Sequence, residues 1–175
     1  MSFFARLDGL LRRVSYLGFL AASALLLIVG LMGTVDVIST NLFWKPIPGM
    51  VELSGALLAV IVFLGLAEAQ ARGSNIVIDI ATQSMGPTAR RLSSILSLSI
   101  AAVLMGLIAW QTTRLAMSSW NFNETALGAL AFPVAPFKSV AAFGAWLATA
   151  EFLRQLVLQM AGTTSTAPGE EQRDA

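Results

Sequence analysis

Charged residues punctuate this chain so sparsely that four apolar stretches stand out, each near the roughly 20 residues a helix needs to cross the hydrocarbon core of a bilayer. Residues 14–35 and 92–113 are 22 residues each without Asp, Glu, Lys or Arg, and Arg114 closes the second. Residues 49–71 place Glu52 and Glu68 near their two ends, which leaves 53–67 as an apolar centre. The stretch 134–156 carries Lys138 at one end and Glu151 with Arg154 at the other. Hydrocarbon offers no water to backbone N–H and C=O groups, so each span must satisfy its own as a helix. The expected fold class is therefore an all-α membrane protein with four transmembrane helices.

Composition agrees: 56% of the 175 residues are hydrophobic and 12% charged, far from the mixture of a soluble domain. The formal net charge of +1 argues against nucleic acid as a partner, which demands a concentrated basic face. The chain has neither cysteine nor histidine, so it lacks thiolates, imidazole bases and the commonest zinc and haem ligands. No catalytic residue, cofactor or metal site is expected, and membrane lipid is the surrounding medium. Arg12 and Arg13 before an apolar run containing Ala22-Ser23-Ala24 resemble a signal peptide. The run continues to Val35, however, too long for a cleaved segment, which favours a retained first helix.

Orientation follows from the basic residues on each side. Arg6, Arg12, Arg13, Arg72, Arg90, Arg91, Arg154 and Arg173 fall on one side, and Lys45, Arg114 and Lys138 on the other. The richer side should be cytoplasmic, with both termini in it, and the membrane a bacterial inner membrane. Between the second and third spans, Asn75, Asp79, Thr82, Gln83 and Gly86 recur at helical spacing opposite Val77, Ile80, Ala81 and Ser84. Residues 75–86 are thus expected to form a short amphipathic helix along the cytoplasmic surface; Ile76-Val77-Ile78 leaves a strand open. Residues 1–161 are expected to form the membrane domain, and 162–175, small, polar and acidic, a disordered tail.

Ionisable groups deep in a membrane usually mark conduction or coupling, and here Asp36, Glu52, Glu68, Arg72, Arg114, Lys138, Glu151 and Arg154 all fall near span ends. Glu68 and Arg72, at i and i+4 with the acid first, suit a helical ion pair. Glu151 and Arg154 share a face, and Lys138 is placed to snorkel outward. Gly55/Ala59, Gly65/Ala69, Ala102/Gly106 and Gly144/Ala148 are candidate close-packing pairs. No repeat or matched pair of broken helices of the kind found in many transporters is present.

The motifs Asp36-Val37-Ile38, Phe43-Trp44-Lys45-Pro46-Ile47-Pro48-Gly49, Glu52-Leu53, Phe63-Leu64-Gly65 and Arg72-Gly73-Ser74-Asn75-Ile76-Val77-Ile78-Asp79 form a recognisable pattern. With the proline-containing loop 127–136, this pattern resembles the small membrane subunit (DctQ type) of tripartite ATP-independent periplasmic (TRAP) transporters. The resemblance implies no enzymatic activity. It implies instead a scaffold for a large elevator-type permease subunit, in sodium-coupled uptake of an organic acid delivered by a periplasmic binding protein. Both proteins would be partners, and Asp36, Lys45, Pro46, Gly49, Glu52, Glu68, Arg72, Gly73 and Asp79 are the pattern positions expected at interfaces. Two other readings stay open: a membrane anchor of an enzyme complex, although such anchors commonly bind haem through histidine, and a small self-assembling pore.

Overall fold

The computed structural model describes residues 2–72, 86–128 and 130–160. Within them the chain forms four helices, α1 (Ser2–Phe43), α2 (Met50–Ala71), α3 (Pro87–Asn121) and α4 (Ala135–Met160). No strand occurs among the described residues; a single bridge joins Thr125 to Pro133 in the α3–α4 loop. Three of the helices, α1, α2 and α3, are long and apolar enough to cross a membrane. Helix α4 is more polar, because Lys138, Glu151, Arg154, Gln155 and Gln159 interrupt it. Residues 75–85 of the expected surface helix, the strand alternative within it, Gly73, Asp79 and the tail 162–175 lie outside the described residues, while Gly86 is extended and precedes α3.

Two helices run further than the charge pattern suggests. Helix α1 continues through Asp36 to Phe43, and α3 through Arg114 to Asn121. A polar side chain does not end a helix; proline or a left-handed residue does. Accordingly the chain leaves α1 where Trp44 has φ 54° and Pro46 follows, and leaves α3 just before Asn123, with φ 47°.

Spatial order differs from chain order. Helix α1 packs on α2, α2 on α4 and α4 on α3, with only a slight α1–α4 contact. The helices thus form an open row α1–α2–α4–α3 instead of a closed bundle. Burial follows the row: the inner helices hold Val60, Ile61, Leu64 and Ala67 on α2 and Ala141, Ala142, Ala145 and Ala148 on α4. The flanking helices expose large apolar side chains, Leu17, Leu27 and Leu31 on α1 and Leu104 and Leu107 on α3.

The inner pair is held by close backbone approach, the device helices use where lipid gives no hydrophobic drive. A Cβ on Gly144 would lie 2.7 Å from the backbone carbon of Phe63 and 2.8 Å from the Leu64 nitrogen. Ala148 in the next turn has no exposed surface. The Ala102/Gly106 pair also packs, with Gly106 against Thr149. Among the described residues nothing lies where a Cβ on Gly55 or Gly65 would reach, so those two spacings mark no close contact there. Gly144→Ala should therefore cost about 1–3 kcal/mol through overpacking, whereas Gly55→Ala should be neutral or slightly stabilising. Thermal unfolding of both variants in one detergent checks the contrast, and equal midpoints would contradict the close contact.

Candidate functional site

Polar side chains gather at the two ends of the row. One end collects the start of α1, the end of α2, the start of α3 and the end of α4, because Asp8, Gln70, Arg91 and Ser94 all bond to residues 154–160. The opposite end collects the α1–α2 and α3–α4 connections. Neighbouring helices in the chain therefore run antiparallel.

At the first end, Glu151 is entirely buried. Its carboxylate accepts from Arg154 Nε at 2.9 Å and Nη2 at 2.6 Å, with Gln155 Nε2 at 3.2 Å. Arg154 Nη1 then reaches Asp8 on α1 at 2.8 Å. Gln155 and Gln70 exchange hydrogen bonds of 2.7 and 2.6 Å, which bring in α2. Arg91 donates to the final carbonyls of α4, and Gln159 donates to Ser94, which bring in α3. Sequence reasoning paired Glu151 with Arg154 near the span end; the structure adds that Glu151 is buried between helices. It missed Asp8, Gln70 and Gln155. The Asp8/Arg12 spacing was a readable local signal, and the pair is present at 3.8 Å. The glutamine exchange spans 85 residues and left no local signal.

The expected pair of Glu68 and Arg72 forms at 2.8 Å, with Glu68 buried. Arg72 also lies over the Phe19 ring, 5.6 Å from its centre, so this pair fastens α2 to α1 as well.

At the opposite end, the structure brings Asp36, Pro46, Gly49 and Glu52 to one shallow groove. Pro46-Ile47-Pro48 has a single N–H, that of Ile47, and Asp36 Oδ1 accepts it at 2.7 Å. Ser39 donates to the Lys45 carbonyl at 2.6 Å, while the Lys45 side chain is exposed. Gly49 has φ 77°, and a Cβ there would come 2.6 Å from Leu130 Cβ. Both demands select glycine. The Glu52 carboxylate fills the space beside Gly128 that a side chain there would need. An apolar recess of about 440 Å³ lies alongside, between Met32, Leu53 and Phe137.

Lys138 does not snorkel freely outward. It donates to Glu124 at 2.6 Å and to Ser119 at 2.9 Å, because the α3–α4 loop folds back over it. Trp120 Nε1 donates to Ser139 beside this cluster. The Lys138 hydrogen bond, then that of Ser119, holds the Glu124 carboxyl below its ordinary value.

These side chains bond to one another and fasten helices, which defines the class: an all-helical membrane subunit built on interlocked polar ends. The family model described as "Tripartite ATP-independent periplasmic transporters, DctQ component" matches residues 29–162, and the chain belongs to that family. It is a small membrane component of a TRAP transporter, a family of transporter parts and not of enzymes. No curated protein matches the chain.

Arg154→Ala leaves Glu151 as an uncompensated buried charge, and should lower stability in detergent by about 3–5 kcal/mol. Replacing both residues with apolar ones of similar size should recover most of that loss; the two unfolding curves make the comparison. At the other end, a depressed folded carboxyl value means that the Glu124 tether contributes above the unfolded value, and is lost as pH falls through the folded one. The environment of Trp120, followed by fluorescence, should therefore be steady at neutral pH and change only below the ordinary carboxylate range. In Glu124→Gln that acid transition should disappear.

Proposed function

We propose that this chain is the fixed scaffold of a sodium-coupled TRAP transporter. All four helices span the inner membrane, both termini are cytoplasmic, and the end carrying Asp8, Arg12, Arg91 and Arg154 is the cytoplasmic one. Its large partner carries the sodium and substrate sites and moves as an elevator. A periplasmic binding protein delivers an organic acid to the outer side, where Asp36, Lys45, Pro46, Gly49 and Glu52 form a contact surface. Glu68 and Arg72 serve the inner end.

The observation that carries this reading is the open row of helices, fastened at both ends, in a chain of this family. A row presents two broad apolar faces, as a framework must if it is to broaden a partner's footprint and resist tilting. Its buried charges are neutralised within the chain. That arrangement suits a rigid support better than an ion path, which needs charged groups free to bind and release.

Co-expression with the large permease should give a complex that survives purification. Vesicles containing both membrane subunits, the binding protein and a sodium gradient should take up substrate. Omitting this chain should abolish uptake, and full activity of the large subunit without it would overturn the scaffold reading.

A further inference from the structure

We propose that the outward face of α3, along Gln111, Arg114 and Ser118, is the seat of a membrane-spanning helix of the large permease, which places a carboxylate against the Arg114 guanidinium. This rests on the scaffold reading above and adds to it the edge of the row that the partner occupies.

The three residues stand at i, i+3 and i+7, one stripe of a helix. All are exposed, and Ile100, Leu104 and Leu107 continue the stripe toward the cytoplasmic end. The other side of α3, with Ala102, Met105, Ala109 and Ala116, is buried where α3 meets α4. The stripe therefore points away from the other described helices.

Its depth is set by two contacts with the centre of α4. Trp146 Nε1 donates to Thr113 Oγ1 at 3.0 Å, and Gly106 lies against Thr149. Gln111 falls between these levels, and Arg114 is the residue after Thr113. Helix α3 then continues outward to Trp120, whose indole reaches the start of α4 at Ser139. Arg114 is thus not the end of its span, as its place in the sequence suggests, but lies well inside it.

Several other polar side chains of the outer helices are satisfied by their own backbone. Thr112, Thr113 and Ser99 on α3, and Ser23, Thr34 and Asn41 on α1, each donate to the carbonyl four residues earlier. The side chains of Gln111 and Arg114 have no partner among the described residues. Unpaired amide and guanidinium groups are costly against lipid and are held instead against protein partners. Reaching the outer headgroups is opposed by helix geometry, since Cα–Cβ bonds lean toward the helix N-terminus, here the inner end. A cation that must be matched selects a carboxylate. The opposite edge of the row differs: α1 has no charged or amide side chain over residues 14–35, and Leu17, Leu27 and Leu31 suit lipid.

The chain contains no cysteine, so Gln111→Cys and Leu27→Cys each introduce a unique thiol for a photoactivatable maleimide in membranes holding the complex. The expected result is a covalent adduct with the large permease from position 111 and none from position 27, while both variants still co-purify with it. Arg114→Ala should weaken that co-purification about tenfold in apparent affinity, the scale of one charge-assisted hydrogen bond. Adducts from position 27 alone, lipid adducts alone from position 111, or a dimer of this chain would overturn the assignment while leaving the scaffold reading intact. Failure of the unsubstituted chain to co-purify would remove the scaffold reading itself, and this proposal with it.

Discussion

The close approach of α2 and α4 at Gly144 is the contact on which the rest of the row is built. Between helices in lipid there is no gain from burying apolar surface, so stability comes from short-range packing and matched polar groups. Backbone contact at one turn brings the two helix axes near enough for Ala145 and Ala148 to be fully buried. It also sets the register that lets Gln70 and Gln155 exchange hydrogen bonds further along. Helix α1 then adds to the free side of α2, and α3 to the free side of α4.

The charged groups extend this arrangement. A buried carboxylate such as Glu151 is tolerable only when its counter-charge and hydrogen bonds are fixed. Arg154 meets that need and, by reaching Asp8, also reaches the outermost helix. One interaction thus neutralises a charge and ties α1 to α4, two helices with little direct packing. The α3–α4 loop works in the same way, since Lys138 closes both the Glu124 loop and the end of α3 at Ser119.

Much of this was legible in the sequence. Charge spacing located the four helices, the Glu68/Arg72 and Glu151/Arg154 spacings gave real pairs, and the motif around Asp36 and Gly49 indicated the family that the comparison establishes. What stayed hidden has physical causes. Charges mark the end of an apolar stretch and not of a helix, so α1 and α3 were read too short. Small-residue spacing does not state which face meets a neighbour, so Gly144 and Gly55 looked alike. Gln70 and Gln155 belong to distant segments, and only the order of the row makes them partners.

That order also bears on how the protein is assembled. A chain enters the membrane from its N-terminus, so α1 and α2 can pair as soon as both are inserted. Helix α3 comes next, yet its packing surface belongs to α4, which has not been synthesised. It must wait in lipid until α4 arrives and lodges between it and α2. During that interval the small, polar face of α3 that carries Ala102, Gly106 and Ser119 has no neighbour from its own chain. The last helix made is therefore the one that completes the row, and a chain ending after α3 would hold two separate pieces instead of a smaller version of the same fold.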